Sequence, residues 1–132
     1  MLQMTELLGK YNLKDQTPEI QANLSVLLDR VNKIRALWGQ PMTVTSGLRT
    51  MADHLRIYAE KGITDPAKIP MHSRHLIGAA VDIFDPGLVI TYWLKQNPKF
   101  LEDAQLWCEL NNLNWVHFQI LPPASGERWF LP

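Results

Sequence analysis

Two short segments of the chain place histidine and aspartate side chains where they could hold a metal ion. In the first, Ser73–Asp82, His75 precedes a glycine, and Asp82 ends a run of small and apolar residues. A strand over residues 79–84 would place Ala80 and Asp82 on one face, because successive side chains of a strand alternate. A carboxylate in so apolar a strand is costly to bury unless it meets a cation or a metal.

The second segment, Trp115–Gln119, alternates in the same way and carries His117. In a strand, His117 shares a face with Trp115 and Gln119. If this strand pairs beside the one that carries Asp82, their side chains converge. Two imidazoles and one carboxylate would then provide three protein ligands, the open arrangement of a catalytic zinc site rather than the closed, four-ligand structural one.

The amino-acid composition limits which residue types could bind a metal and which classes of partner are expected. The single cysteine, Cys108, excludes an internal disulfide and a cysteine-cluster metal site, so histidines and carboxylates must hold any metal. Lys plus Arg and Asp plus Glu number 13 each, which favours neither nucleic acid nor an anionic membrane as a partner. No apolar run approaches the roughly 18 residues that would suggest a membrane span.

The length of 132 residues and the apolar content of 46% predict one domain over residues 1–132. We expect it to be a monomer. The first ten residues lack the basic region and apolar segment of a secretion signal.

The strongest helical periodicity runs from Pro18 to Trp38, with Thr17 as the N-cap and Gly39 as the C-terminal stop. Its apolar stripe should face the core and consists of Ile20, Leu24, Leu27, Leu28, Val31, Ile34, Leu37 and Trp38.

The other elements follow from propensity and from turn residues. We predict strands at 43–46, 79–84 and 115–120, and helices at 50–62, 88–96 and 98–110. Cys108 should be a small buried residue of the last helix, and the pair Asn111-Asn112 should end that helix. The order of elements predicts an α+β domain in which a small antiparallel sheet carries the metal site and packs against helices.

The motif Ser73-x-His75-x-x-Gly78-x-Ala80-x-Asp82, followed by Trp115-x-His117, resembles the zinc D-alanyl-D-alanine carboxypeptidase family. That family includes phage L-alanyl-D-glutamate endolysins and shares its fold with the Hedgehog signalling domain. The segment Ser46-Gly47-Leu48-Arg49-Thr50 is similar to the family's Ser-Gly-Tyr-Arg segment, with Leu48 in place of the aromatic residue. The resemblance extends over residues 43–118.

The resemblance implies that His75, Asp82 and His117 are zinc ligands. It also implies that Arg49 is the substrate anchor, pairing with a peptide carboxylate, whereas the alternative is a surface arginine at a helix entry. Ser73 would lie at the rim of the metal site and hydrogen-bond the substrate, or it would only make a local turn contact.

The general base is where the sequence departs from the family. Many members carry Glu or Asp three residues before the last histidine, and Asn114 stands there in this chain. Asparagine cannot accept a proton from water. By resemblance to shorter members, Glu109 is the expected catalytic base, and a solvent-exposed glutamate at a helix end is the alternative. Further candidates for this role are Asp85 and Glu127, and His72 could add a polar group near the metal.

These residues together lead to an expected function. We expect a zinc metallopeptidase that hydrolyses peptidoglycan stem peptides, as an endopeptidase or a D-Ala-D-Ala carboxypeptidase. By analogy with the phage members, it would be a phage or prophage lysis enzyme that accumulates in the host cytoplasm and reaches the wall once the membrane is breached. The alternatives are a non-catalytic zinc-containing binding module, which Asn114 supports, and a small structural protein. The proline-rich tail, residues 121–132, should dock on the body or fold over the site.

Overall fold

The structure is a computed structural model that describes Met1–Pro132 and has an α+β fold. Five α-helices pack with one five-stranded sheet. The helices are α1 Met4–Leu8, α2 Pro18–Trp38, α3 Met51–Glu60, α4 Val89–Gln96 and α5 Pro98–Ala104. The strands are β1 Val44–Ser46, β2 Ala80–Phe84, β3 Trp107–Glu109, β4 Trp115–Gln119 and β5 Trp129–Phe130.

Helix α2 begins and ends at the residues that the sequence predicts. The Thr17 side chain accepts a hydrogen bond from the Ile20 backbone nitrogen at 3.2 Å, and Gly39 ends the helix in the left-handed conformation with φ 77°. The four fully buried residues of the helix are Leu24, Leu27, Val31 and Ile34. The prediction that Leu37 belongs to this stripe is wrong, because this residue is 53% exposed. Leu37 lies roughly 100° around the helix from the middle of the buried face.

The sheet has the strand order β1-β2-β4-β3-β5. Neighbouring strands are antiparallel from β1 to β3, whereas β5 runs parallel to β3 at the edge. The predicted antiparallel sheet therefore holds for its first four strands only. The parallel edge pair forms because the tail leaves the end of β4 and returns along the outer side of β3, so that Trp129 lies beside Cys108.

The helix predicted over 98–110 is wrong in its second half. Helix α5 ends at Ala104, and Gln105 takes a left-handed conformation with φ 57°. Cys108 then lies on β3, where it pairs with Phe118, and its backbone nitrogen donates to Arg128 O at 2.8 Å. Pairing with two neighbouring strands, which local periodicity does not reveal, outweighs the helical pattern here. Cys108 is fully buried, as expected.

The two faces of the sheet differ in character. Val81, Ile83, Val116 and Phe118 point to one face and join a core cluster of 21 buried residues with the helices. The alternate residues of the same strands point to the other face, and these carry the polar side chains. An antiparallel sheet can thus be packed on one side and serve a site on the other.

No helix of the protein reaches both the length and the hydropathy of a membrane span.

Candidate metal centre

A row of polar side chains crosses the sheet on the face away from the core. Asp82 pairs directly with His117 of β4, and Ser46 pairs with Asp82 on the other side. The β3–β4 register pairs Cys108 with Phe118, so its next step puts Glu109 opposite His117. Residues directly opposite each other present their side chains to the same face, with Cβ atoms about 5 Å apart. Ser46, Asp82, His117 and Glu109 therefore form one line over four strands.

His75 reaches this row from the turn that precedes β2. The residues Arg74–Ile77 form a 3-10 turn, and Ser73 Oγ caps it by accepting from the His75 backbone nitrogen at 3.3 Å. Gly78 closes the turn with φ 71°, and a Cβ there would lie 2.9 Å from Leu24 Cγ of α2. The turn is thus packed tightly on α2, and it directs His75 over the sheet, where the residue is 3% exposed.

The ligand-capable atoms of His75, Asp82 and His117 lie within 4.8 Å of one another, and all three residues are buried. His75 Nε2 is 3.3 Å from Asp82 Oδ2, and His117 Nδ1 is 2.9 Å from Asp82 Oδ1. Zinc binds histidine nitrogens at about 2.0–2.1 Å and carboxylate oxygens at about 2.0–2.2 Å, which puts neighbouring ligand atoms of a tetrahedral site about 3.3–3.5 Å apart. The two His–Asp82 distances are close to this spacing, so the group could hold a metal ion.

The other nitrogen of each imidazole already has a partner that orients the ring. His75 Nδ1 lies 2.9 Å from the Gly47 carbonyl oxygen, and His117 Nε2 lies 2.9 Å from Gln119 Oε1. Both partners are acceptors, so these nitrogens can donate to them, and His75 Nε2 and His117 Nδ1, which face Asp82, are the nitrogens that would bind a metal in the neutral rings. The amide nitrogen of Gln119 in turn donates to Leu121 O at 2.8 Å, which fixes its orientation.

Gly47 explains why the Ser46-Gly47-Leu48-Arg49 segment needs a glycine. A Cβ at this position would lie 2.2 Å from the Leu7 carbonyl oxygen of α1. The close approach is held by a hydrogen bond from the Leu48 backbone nitrogen to the same oxygen at 2.9 Å. The carbonyl of Gly47 is thereby fixed in the direction of His75.

Electrostatics favour the protonation states that a metal needs at two of the three residues. Burial lowers the pKa of His75, which keeps its imidazole neutral. Burial alone would raise the pKa of Asp82, but the neighbouring His75 and His117 outweigh burial and hold the pKa well below its usual range. For His117, burial lowers the pKa, yet the hydrogen bond to Asp82 and the Asp82 charge raise it overall.

Arg49 faces the same group of residues and is held from three sides. Its Nε donates to Ser46 Oγ at 2.8 Å, and one terminal nitrogen lies 3.3 Å from His54 Nδ1. The other terminal nitrogen is 3.6 Å from Asp82 Oδ2. The Arg49 side chain is only 14% exposed, so the expectation of a surface arginine at a helix entry does not describe it.

Glu109 also lines the cleft, although it lies on strand β3 and not at a helix end as predicted. It is half-buried, and burial raises the pKa of its carboxyl group. With the Asn112 amide nitrogen facing the carboxylate, Asn112 donates to Glu109 Oε1 at 3.1 Å and accepts from Trp115 Nε1 at 3.3 Å. The reverse amide orientation would set oxygen against oxygen. Glu109 is thus held on the cleft side, on the strand next to the one that carries His117.

The other candidate bases lie in different places. Asp85 caps helix α4: its Oδ1 accepts from the Ile90 nitrogen at 2.7 Å, and its Oδ2 accepts from the Thr91 nitrogen at 2.9 Å and hydroxyl at 2.6 Å. Both oxygens of the Asp85 carboxylate therefore already accept hydrogen bonds from the start of α4. Glu127 and Asn114 are exposed and do not line the cleft.

The remaining cleft residues form its walls. The cleft has a volume of about 710 Å³. Ser73 lines it and makes the local turn contact, and exposed His72 lines it outside the metal group. The tail docks on the body through β5, and Leu131 and Pro132 at its end also line the cleft.

Sequence reasoning assigned no role to Gln119 or His54. Gln119 was placed on the face of His117, and the alternation of β4 could have marked it as an orienting partner. His54 gave no comparable signal, because its contacts with Arg49 and Pro70 depend on how the segments before and after α3 fold around the helix.

Known proteins give the following similarities. The fold resembles the crystal structure of the L-Ala D-Glu endopeptidase ChiX from Serratia marcescens, with a TM-score of 0.48 and 23% sequence identity, over 88% of this chain and 100% of that chain. No protein-family model matches the sequence, and no curated protein matches it.

Proposed function

We propose that this protein is a zinc-dependent peptidase that hydrolyses peptide bonds in the stem peptides of bacterial peptidoglycan. The observation that carries this proposal is the row in which the metal-capable pair Asp82 and His117 continues to Glu109 in the same cleft. The substrate class is supported by the resemblance of the Ser73–Asp82 and Trp115–His117 motifs to the carboxypeptidase and endolysin family.

His75, Asp82 and His117 would hold the zinc ion, whose Lewis acidity polarises the scissile carbonyl and makes a water molecule more acidic. Glu109 accepts the proton of the attacking water and returns it to the leaving amine. One contact supports this role: in the amide orientation that satisfies both of its partners, Asn112 donates to Glu109 Oε1 and holds the carboxylate on the cleft side. Burial raises the pKa of the Glu109 carboxyl group, which favours proton uptake by this group.

Arg49 would bind a carboxylate of the peptide. A guanidinium has five N–H donors, and the contacts with Ser46, His54 and Asp82 use three of them, which leaves two for a ligand. Because the side chain is buried and already oriented, little freedom is lost when it binds. Arg49 also lines the cleft together with Glu109, so that anchor and base face one ligand.

The experiment is digestion of purified peptidoglycan by the zinc-loaded protein, with mass spectrometry of the released fragments. We expect new amino and carboxyl termini within the stem peptides, and their position identifies the bond that is cut. Chelator should abolish the release and added zinc should restore it. Glu109→Gln is the matched control, because it changes the carboxylate and keeps its volume.

The alternative is a non-catalytic zinc-containing binding module, which the presence of Asn114 supports. In that case the wild type and Glu109→Gln would bind peptidoglycan with equal affinity, and neither protein would release fragments. That outcome would replace the peptidase proposal.

A further inference from the structure

His54 is the one fully buried residue of helix α3, and it is polar. The rest of the helix is exposed or half-buried, so hydrophobic packing does not account for a histidine there. A buried imidazole is costly unless both ring nitrogens are satisfied. In His54 both are: Nδ1 lies 3.3 Å from a terminal nitrogen of Arg49, and Nε2 lies 2.9 Å from the Pro70 carbonyl oxygen.

The two partners determine the tautomer of His54. A guanidinium nitrogen can only donate, so Nδ1 must accept, and a carbonyl oxygen can only accept, so Nε2 must carry the hydrogen. The ring is therefore neutral and protonated at Nε2. Burial lowers the pKa of His54, which keeps the ring in this neutral state. The edge of the ring also packs against Tyr58, with ring centroids 5.1 Å apart.

Each partner of His54 belongs to a different segment that lines the cleft. Arg49 stands beside the metal group, where its other terminal nitrogen faces Asp82. Pro70 begins the segment 70–75, all of which lines the cleft. His54 thus connects the Arg49 cation to this part of the cleft wall through a single rigid ring.

We propose that His54 is a positioning residue, which holds the Arg49 guanidinium and the Pro70 wall in a fixed relation so that the cleft is ready for a carboxylate-bearing ligand. The inference about ligand binding rests on the proposed function, in which Arg49 is the anchor. The positioning of Arg49 by His54 does not depend on that function. Without His54, Arg49 keeps Ser46 and Asp82 as partners but loses the hydrogen bond that sets the rotation of its guanidinium.

The chain offers a matched pair of variants. In His54→Asn, the amide oxygen lies near the place of Nδ1 and can accept from Arg49. In His54→Gln, the longer side chain brings its amide nitrogen near the place of Nε2, where it can donate to Pro70. The first variant therefore retains the Arg49 contact, and the second retains the Pro70 contact.

The direct test is the NMR signal of the Arg49 terminal Nη–H groups, one of which donates to His54, in the zinc-loaded protein, assigned by its loss in Arg49→Lys. We expect a sharp, slowly exchanging signal in the wild type and in His54→Asn, and a broadened or rapidly exchanging one in His54→Gln. The backbone amide spectrum shows in each case that the chain is folded. An unchanged Arg49 signal in folded His54→Gln would overturn the inference.

The consequence for binding is tested by a double-mutant cycle with Arg49→Ala on a stem peptide. His54→Gln should raise KM about tenfold with little change in kcat, and the same substitution should have no further effect once Arg49 is alanine. A rise in KM that persists in the Arg49→Ala background would mean that His54 acts only on the fold. If the NMR change appears but no variant cleaves or binds the peptide, the positioning stands and the proposed function fails.

Discussion

Asp82 and His117 lie directly opposite each other on antiparallel strands, and 2.9 Å separates Asp82 Oδ1 from His117 Nδ1. Their residue numbers differ by 35, so that only the pairing of β2 with β4 brings them together. His75 approaches the same carboxylate from a turn, and its Nε2 lies 3.3 Å from Asp82 Oδ2. One carboxylate is thus shared between two imidazoles whose remaining nitrogens are already hydrogen-bonded.

The first prediction concerns metal content. His75→Ala and His117→Ala should each lose bound zinc, because two remaining ligands hold this ion poorly. Elemental analysis of the purified proteins measures it. His72→Ala is the control, since His72 lines the same cleft outside the metal group, and it should retain one zinc per chain. Undiminished zinc in both ligand variants would contradict the assignment.

Glu109→Gln tests the base. The variant should keep its zinc and its fold but lose about 10²–10⁴-fold in kcat, because the amide cannot accept a proton from water. Glu127→Gln, at an exposed carboxylate outside the cleft, should behave as wild type. Retention of wild-type kcat in Glu109→Gln would remove Glu109 from the mechanism.

Gln119→Leu tests the orientation of His117. Leucine has a similar size but cannot accept the hydrogen from His117 Nε2, so the ring loses the partner that fixes its tautomer. We expect zinc affinity to fall about 10–100-fold, measured by competition with a chelator of known affinity. An unchanged affinity would mean that Asp82 and the packing around His117 suffice to orient the ring.

Gly47→Ala should destabilise the protein by about 1–3 kcal/mol, since the added Cβ would lie 2.2 Å from a backbone oxygen of α1. The same displacement moves the carbonyl that orients His75, so zinc affinity should fall as well. Denaturant unfolding and chelator competition measure the two effects. Thr43→Ala, at an exposed position near β1, should change neither quantity appreciably.

The pH dependence of stability should carry a contribution from His54. Burial lowers the folded-state pKa of His54 below the ordinary value of 6.5. Just below pH 6.5, His54 therefore binds a proton in the unfolded chain but stays neutral in the folded chain. The free energy of unfolding then falls as pH is lowered from about 6.5, by up to about 1.4 kcal/mol per pH unit. The free energy of unfolding is measured by denaturant titration from pH 7 to 5, and the difference in its pH dependence between wild type and His54→Gln is the contribution of His54. Parallel curves would show that His54 titrates normally.

The sequence by itself determined the local features of this protein. Thr17 and Gly39 bound helix α2 because capping depends on the residue type at one position and on the backbone beside it. The alternation in β2 and β4 likewise predicted which residues would share the face of Asp82 and His117. The metal group followed from these two strands together with the motif resemblance.

The tertiary structure alone decided the conformation of Trp107–Glu109, the position of Glu109 and the contacts of His54. The segment Trp107–Glu109 has a helical pattern but forms a strand, because β4 and the returning tail both hydrogen-bond to it. That change moves Glu109 from a predicted helix end into the row with His117. The role of His54 is decided in the same way, since Arg49 and Pro70 meet its two nitrogens only once the chain is folded. Contacts between distant segments depend on the packing of the whole domain, and one-dimensional periodicity carries no information about them.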